Sequence, residues 1–443
     1  MLHCGARFLH RRVLTLWSPQ VLTQKSSSSK TVPETASKKP QSSSSSLNLD
    51  DGKVFRLKTK WELSRGLLVF FLCSSPWLVQ KLLSFTRRIL GRRLWTSALR
   101  LTLYGQFVAG ETHKEIKETL QRLQHLGVRP LLAVPIEEDV GEEKEGTCEL
   151  IPFHVFSSVS LFAFISPFLL NLWSYFLNVY VVVLFHYPQE VSFSCLSQEE
   201  NQHFQKSLRR LNSVAEYAVE KGVRVLVDAE YTYINPALTL VTIAMMATWN
   251  TQKPWISNTY QAYLKDTLER LKQDVALAER LGVCFGVKLV RGAYLNKERK
   301  LAKEKGYPDP VQPSWEATNE SYRRCLDFGL DQVSQVKERF EMIVATHNEA
   351  SVTHAVQRMS QMGINKNAGP ISFGQLLGMC DQVSLALGQA GYAIYKSIPY
   401  GSVEEVIPYL IRRAHENQSV LLGIRKERDL LRLELWRRIL RRP

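Results

Sequence analysis

The sequence lacks the features that mark metal-binding, disulfide-bonded and dinucleotide-binding proteins. Its seven cysteines are odd in number, are scattered from Cys4 to Cys380 and form no CxxC pair. This usage indicates a reducing compartment and argues against a zinc site, so no metal is predicted. No GxGxxG follows a predicted strand, which disfavours a doubly wound sheet that binds NAD.

The middle of the chain also lacks positive charge, although the whole chain has a formal net charge of +15. The excess lies in three segments: residues 1–46, 53–100 and 423–443 carry net charges of +6, +10 and +5, which leaves about −6 for the rest. A basic stripe for nucleic acid is therefore not supported. The 443 residues, 45% of them apolar, are enough for one large domain with appendages or for two ordinary domains.

The N-terminus has no acidic residue before Glu34, and it carries Arg7, Arg11 and Arg12 among apolar residues and many serines. This composition is typical of a mitochondrial presequence, and the alternative is a disordered basic tail. The serine-rich stretch 26–46 cannot bury a core and is predicted to be a linker. Residues 1–46 are therefore predicted to be presequence and linker.

Short β-branched runs alternate with amphipathic helical stretches from about residue 100 onward. This alternation predicts a parallel sheet covered by helices, either a (β/α)8 barrel or a doubly wound sheet. The runs that predict buried strands are 128–134, 223–229, 283–290, 341–347 and 392–398, with weaker candidates at 255–261 and 369–375.

Polar residues follow or end these predicted strands. They are Asp228, Gln261, Lys288 with Arg291, His347 and Ser397. In a barrel the carboxyl ends of all strands lie on one face, where active sites are built. Any one of these residues, Asp228 above all, could instead cap the helix that follows, but five at equivalent places favour a site.

Four motifs in order resemble the proline dehydrogenase family, whose members are mitochondrial flavoenzymes built on a distorted (β/α)8 barrel. The motifs are VKLVRGAYL (287–295), ATHNEASV (345–352), FGQLLGMCDQVSLALGQAGY (373–392) and YLIRRAHEN (409–417). The resemblance covers about residues 101–148 and 196–443. It implies an N-terminal helical arm at 47–127 and an FAD-binding barrel at 128–443.

The resemblance also implies a role for the adjacent arginines of YLIRRAHEN. In the family this pair clamps the carboxylate of an imino acid, and Arg412 and Arg413 occupy those positions. Guanidinium groups match a carboxylate in two parallel hydrogen bonds. Glu416 lies four residues after Arg412 and can hold that side chain in place. Without the surrounding motifs, a solvated helical face with an ordinary ion pair would explain the same residues.

The resemblance places further residues around FAD and the substrate. It assigns Lys288 a position close to the flavin ring, and Asp228 that of an active-site carboxylate. Tyr294 follows in the same GAY motif and is expected near the substrate. Without its motif, His347 would be read as a structural histidine. The residues expected along the cofactor are Ala229, Gln261, Arg291, Gly292, Ala293, Thr346 and His347.

Ser397 decides the predicted substrate. In the branch of the family that oxidises proline, the position fifteen residues before the first clamp arginine is a tyrosine, which packs over the substrate ring. A serine there leaves room for an added hydroxyl, which favours the hydroxyproline branch and oxidation of trans-4-hydroxy-L-proline to a 3-hydroxy-pyrroline-5-carboxylate. The serine could also have no effect on the choice of substrate, so L-proline is the alternative substrate. The family passes electrons to a quinone at the matrix side of the inner mitochondrial membrane.

One region departs from the family. Residues 151–187 contain no Lys, Arg, Asp or Glu and are long and apolar enough to span a membrane. The family has its second barrel strand here, with a lysine that joins the arginine pair, and neither is recognisable. Three interpretations stay open: an aberrant or alternative transcript, a genuine membrane insertion, or a replacement strand such as VYVVVLF. A catalytically impaired, membrane-associated isoform is therefore an alternative function.

Two basic segments of the chain bear on whether the protein contacts a membrane. Residues 423–442 predict an amphipathic helix with Leu430, Leu433, Trp436 and Leu440 at helical spacing. A surface helix packed on the barrel is one interpretation, and contact with an anionic membrane is the other. The apolar run LLVFFLC in the arm is too short to cross a bilayer.

Overall fold

The computed structural model describes residues 14–17, 47, 49–74, 76–133, 192, 197–367, 369–419 and 421–440. It describes side chains in these ranges except at 14–17, 76–87, 414–419 and 421–424. The apolar segment 151–187, with its candidate strand VYVVVLF, lies outside the described residues.

The centre of the molecule is a closed barrel in the order β1-β2-β8-β7-β6-β5-β4-β3. Seven strands run parallel to one another, and every predicted strand, including the two weaker candidates, is present. The strands are β1 (Leu14–Trp17), β2 (Arg129–Ala133), β3 (Arg224–Val227), β4 (Ile256–Gln261), β5 (Phe285–Val290), β6 (Phe340–Ala345), β7 (Ile371–Leu376) and β8 (Ile394–Pro399). The predicted (β/α)8 fold class is confirmed.

The eighth strand comes from a part of the chain that was expected to be presequence. The backbone of β1 runs antiparallel between β2 and β3, pairing Leu16 with Leu132 and Leu14 with Val227. The alternating LTLW pattern suits a strand, since β-branched and apolar residues fit a pleated surface. The segment contains no lysine, so the cation expected from the family's second strand is not supplied at this place. Whether residues 1–46 are cleaved stays a prediction.

Helices cover the outside of the barrel between successive strands. Several begin at a capping box, in which a Thr or Ser side chain and a Glu three residues later satisfy free backbone N–H groups, as at Thr112 and Ser197. Others end at a glycine with positive φ, as at Gly282. The helices are α1 (Lys60–Leu72), α2 (Pro76–Leu101, broken at Gly91), α3 (Leu103–Phe107), α4 (His113–His125), α5 (Gln198–Glu220), α6 (Asn235–Trp249), α7 (Thr267–Leu281), α8 (Leu295–Lys305), α9 (Trp315–Val336), α10 (Glu349–Gln361), α11 (Asp381–Gln389), α12 (Ile407–Ser419) and α13 (Leu421–Leu440), with 3-10 turns at Gly52–Leu57 and Lys337–Arg339.

Alternation along the strands separates an inner from an outer apolar layer. Leu131, Leu226, Ile343 and Tyr395, from four different strands, form a buried cluster with Ala393 and fill the barrel interior. Their strand neighbours belong to the larger cluster between sheet and helices. Because side chains alternate across a strand, a residue two positions after an inner one also faces inward.

A buried charged cluster joins both ends of the chain to the barrel. The carboxylate of Asp381, the first residue of α11, accepts hydrogen bonds from Lys58 of the arm and lies 2.9 Å from Lys396 of β8. Glu427 of α13 accepts the backbone N–H groups of Cys380 and Asp381 at 2.9 Å. The arm and the last helix are thus held at the same place on the barrel.

The C-terminal helix packs as predicted but with a different face. It contacts α1 through Leu431 and the turn Gly52–Leu57 through Leu430 and Leu433. Of the predicted apolar stripe, Leu433, Trp436 and Leu440 are nevertheless mostly exposed. The sequence pattern led us to expect apolar residues on the inner face, but Glu427 and Glu434 are buried there instead. Among the described residues, no helix combines the length and apolarity needed to cross a membrane.

Candidate active site

The predicted site residues meet at the carboxyl ends of the parallel strands. Asp228 lies two residues after the inner Leu226, and Ser397 lies two residues after the inner Tyr395. Lys288 faces inward, since its neighbours Val287 and Leu289 belong to the outer apolar layer. These side chains therefore converge on the mouth of the barrel, where a parallel barrel places its active site.

An ion pair crosses the mouth from β5 to the end of β3. Lys288 Nζ donates to Asp228 Oδ1 at 2.6 Å, and both side chains are partly shielded from water. The carboxylate fixes the position of the ammonium group and offsets its charge. The residue that the resemblance places close to the flavin ring and the one it makes an active-site carboxylate are thus direct partners. Ala229 follows Asp228 at the same rim and is half-buried.

Arg291, directly after β5, is half-buried and has neutral hydrogen-bond partners. Its guanidinium donates to Asn319 Oδ1 at 2.9 and 3.1 Å, to Ser351 Oγ at 2.9 Å and to the hydroxyl of Thr346. It also lies 4.3 Å from the ring centroid of Tyr322. No carboxylate among the described residues offsets this positive charge, so it is available to an anion.

His347, after β6, is half-buried in a positive environment. Burial, followed by the charges of Lys396, Arg413 and Arg291, lowers its pKa to about 3. The imidazole is therefore neutral at physiological pH. Its Nδ1 is buried and has no hydrogen-bond partner among the described residues. Such an atom is costly unless a ligand or a water satisfies it.

The two arginines of α12 have different environments. Arg413 is buried, 3% exposed, and its guanidinium lies 4.6 Å from the ring centroid of Tyr409. Arg412 is half-buried, and its charge acts on Tyr294. The helix thus brings the pair towards His347 and the rim after β5. Glu416 follows in α12, but its side chain lies outside the described part of the chain.

Tyr294 has a carboxylate partner that the sequence analysis missed. The charge of Glu230 acts on its hydroxyl, and its ring lies 4.3 Å from that of Tyr231, measured between centroids. Burial and the Glu230 charge raise the pKa of Tyr294, against the opposing effect of Arg412. Glu230 stands two residues after Asp228 in the DAEY run, so its place after a strand was the signal for it.

Two of the residues expected along the cofactor, Gln261 and Gly292, serve the architecture of the rim. Gln261, 4% exposed, donates to the carbonyl oxygen of Glu230 at 2.8 Å and so links β4 to β3. Gly292 has φ +129° and packs on Tyr263, where an added Cβ would lie 1.8 Å from the ring. Ala293, next in the chain, is exposed. The glycine is therefore required by a protein contact, whatever lies on its other side.

These residues suit FAD, which carries a pyrophosphate and an aromatic ring with polar edges. Within the described part of the chain, Arg291 has no carboxylate partner and the buried Nδ1 of His347 has no hydrogen-bond partner, while Lys288 adds a second cation. Polar side chains of this kind are how a protein holds an anionic cofactor and orients its ring. The donor set at the mouth thus fits the cofactor that the sequence motifs implied.

A comparison with solved structures supports the architecture. The chain superposes on proline utilization A (PutA) from Bdellovibrio bacteriovorus with a TM-score of 0.54 and 20% sequence identity. The match covers 86% of this chain and 40% of that longer one. At this identity the likeness concerns the fold alone, and it defines the class: an α/β barrel protein with a TIM-like fold.

Sequence comparisons then identify the family. The sequence profile described as proline dehydrogenase matches residues 109–426. Hydroxyproline dehydrogenase of Xenopus laevis is 53% identical, covering 89% of this chain and 90% of that protein. Hydroxyproline dehydrogenase of Homo sapiens is 48% identical, covering 88% and 93%, and human proline dehydrogenase 1, mitochondrial, is 32% identical, covering 87% and 88%. This chain belongs to the proline dehydrogenase family, as its motifs predicted.

Proposed function

We propose that this protein is an FAD-dependent dehydrogenase that oxidises trans-4-hydroxy-L-proline to a 3-hydroxy-pyrroline-5-carboxylate and passes the electrons to a quinone. Its expected location is the matrix side of the inner mitochondrial membrane, in keeping with the mitochondrial names of its proline dehydrogenase relatives. The observation that carries the choice of substrate is Ser397 at an inward position of β8, together with relatives named hydroxyproline dehydrogenase.

The substrate carboxylate is assigned to Arg412 and Arg413. The face of Tyr409 holds the Arg413 guanidinium, which lies 4.6 Å from the ring centroid, so little freedom is lost when an anion binds. Two adjacent cations on one helix fix the direction in which the imino-acid ring extends. Tyr294, oriented by Glu230, is assigned to the side of that ring.

Lys288, Arg291, Thr346 and His347 are assigned to the cofactor, with Ala229, Gln261, Gly292 and Ala293 along its edge. Held by these residues, FAD would supply the hydride acceptor for oxidation at the substrate carbon next to the ring nitrogen. Lys288, held by Asp228 at 2.6 Å, places a positive charge where negative charge develops in the reaction. Neutral His347 offers hydrogen bonds without adding a further cation.

Ser397 is assigned to the far edge of the substrate ring. A small side chain leaves room for the 4-hydroxyl group, and its own hydroxyl can exchange a hydrogen bond with it. L-Proline would leave that hydroxyl without a substrate partner, which favours the hydroxylated ring. L-Proline is the alternative substrate.

One observation favours a second candidate function, a catalytically impaired isoform. The closing strand β1 contributes the residues LTLW, without the lysine that the family's second strand adds to the carboxylate site. Among the described residues, binding of the carboxylate would then depend on the arginine pair. Protein that contains no flavin after purification would support this second candidate.

The test is an anaerobic absorption spectrum of the purified protein, recorded before and after adding trans-4-hydroxy-L-proline or L-proline. We expect a flavin band that hydroxyproline bleaches faster than proline does. Ser397→Tyr should lower the ratio of hydroxyproline to proline turnover about tenfold or more. Ser257→Ala, on β4 at the opposite end from the mouth, is the control and should leave the ratio unchanged. A ratio that Ser397→Tyr does not change would contradict the substrate assignment.

A further inference from the structure

Exposed apolar side chains are concentrated in two segments. Among the residues that the structure describes, twelve of the sixteen large apolar residues that are exposed lie in 52–101 or 421–440. These are also strongly basic stretches of the sequence. Single exposed apolar residues are ordinary on a protein surface, but a concentration of them points to an interaction site. The twelve residues are Leu57, Trp61, Leu68, Phe71, Ile89, Leu90, Leu94, Leu101, Leu433, Trp436, Ile439 and Leu440.

The outer face of α13, defined by Leu433, Trp436, Ile439 and Leu440, is the clearest part of this set. The four side chains are 56–72% exposed. Residues 433, 436 and 440 recur at spacings of three and four, so they lie on one side of the helix. A helix that only packs on a protein surface turns such a stripe inward. Here the stripe faces solvent.

The inner face of α13 carries acidic residues instead. Glu427 and Glu434 are 1% and 2% exposed and flank the buried Leu431. Glu434 pairs with Arg437 at 2.7 Å and with Arg438 at 2.8 Å, and Glu427 accepts two backbone N–H groups. These partners fix the rotation of the helix about its axis, so the outward direction of the apolar stripe is built into the packing.

The same burial makes the outer face more positive than the sequence suggests. Two of the three acidic residues of α13 are buried on the inner side, which leaves Asp429 as the exposed acid. Arg425 and Arg432 are exposed, and Arg432 lies close to Trp436 by helical spacing. The outer face therefore combines Trp, Leu and Ile with arginine, the composition of helices that lie in the interface of a membrane with anionic lipids.

We propose that the outer face of α13 docks on an anionic lipid bilayer with the helix lying flat in the headgroup region. The tryptophan and aliphatic side chains enter the upper acyl layer, and the arginines bind lipid phosphates. Trp61, Leu68 and Phe71 on α1, which packs against α13, give a second apolar set close to the first. The inference deepens the proposed function and rests on the membrane contact included there.

The test is cosedimentation of the full-length protein with vesicles of phosphatidylcholine, with or without phosphatidylglycerol. We expect binding to the anionic vesicles that weakens as salt is raised. Trp436→Ser with Leu440→Ser should weaken this binding at least about tenfold, since two large apolar groups no longer enter the lipid. Trp315→Ser is the matched control, because Trp315 is 62% exposed and lies on α9 outside these two segments. It should bind as the unchanged protein does.

Turnover of hydroxyproline with a soluble dye as electron acceptor is measured on the same samples. Retained turnover with weakened vesicle binding in the double variant supports the proposal. Vesicle binding without turnover would refute the proposed dehydrogenase activity and leave the docking surface standing. Equal vesicle binding by the double variant and the control would overturn the proposal. So would light scattering that shows the outer face holding two copies of this chain together without binding vesicles.

Discussion

Asp381→Asn tests the buried cluster that joins the two ends of the chain to the barrel. The Asp381 carboxylate forms ion pairs with Lys58 and Lys396. The side chains of these lysines are 11% and 2% exposed, so water screens neither ion pair well. Burial alone would raise the pKa of Asp381, but the charges of Lys396 and Lys58 hold it below its usual value. The carboxylate is therefore ionised at neutral pH, and the substitution leaves Lys396 as a buried cation with carbonyl partners only.

Removing one partner of a buried ion pair costs about 3–5 kcal/mol, because the other charge stays buried without compensation. The carbonyl oxygen of Leu376, 3.0 Å from Lys396 Nζ, still solvates the ammonium, so we expect about 3 kcal/mol. A domain has a free energy of unfolding of about 5–15 kcal/mol, so this loss would be a large fraction of it.

Urea unfolding followed by circular dichroism measures the effect. Asp266→Asn is the control, since Asp266 pairs with Arg270 on the surface with side chains 50% and 55% exposed, and its loss should cost about 0.5 kcal/mol. Asp381 contributes stability above its unfolded pKa of about 3.9 and loses it only at lower pH, so the loss should be present at neutral pH and disappear in acid. Between about pH 5 and 8 it should also vary with Glu427, whose pKa burial and the Asp381 charge raise to about 7. A loss below about 1 kcal/mol would refute the argument.

Three further substitutions test the mouth of the barrel. His347 stays neutral in the folded protein, whereas in the unfolded chain it takes up a proton below about pH 6.5. The wild type should therefore lose stability relative to His347→Gln as pH falls from about 6.5 towards 4. Urea unfolding should show a loss of up to about 1.4 kcal/mol per pH unit. Gly292→Ala should lower the thermal midpoint by several degrees, because the added Cβ would lie 1.8 Å from the ring of Tyr263. Gly306→Ala is the control: its added Cβ meets no atom within 4 Å, so it should lower the midpoint less. Glu230→Gln should raise the KM for hydroxyproline about tenfold with less effect on kcat, since it removes the carboxylate that orients a tyrosine of the substrate site; a change in kcat alone would contradict this role.

The parallel strands could be predicted because each is a short apolar run bounded by turn residues. Even β7, a weak candidate in sequence because Ser372 and Gly374 interrupt its apolar pattern, lies where the alternation required a strand. The polar residues after the strands could be predicted for the same reason, since position at a strand end is a local property. Their mutual contacts, such as Lys288 with Asp228, depend on barrel closure and could not.

Features that depend on partners elsewhere in the chain could not be predicted from the sequence. The strand β1 pairs with β2 and β3, more than a hundred residues away, and four residues carry too little pattern to indicate this. The rotation of α13 could not be predicted, because Glu427 and Glu434 look like solvent-facing residues until their partners Cys380 and Arg438 are known. The assignment of site residues to cofactor and substrate stays a prediction from family resemblance.

Arg438 has a consequence for the order in which the chain can fold. Its guanidinium donates to the carbonyl oxygens of Phe55, Arg56 and Lys58, and the first of these contacts spans 383 residues of sequence. The turn Gly52–Leu57 therefore cannot complete its packing until Arg438 has been synthesised. Contacts of such long range are slow to form, since the loop must close before they give any stabilisation. A ribosome-bound chain would thus stay incompletely folded during most of its synthesis.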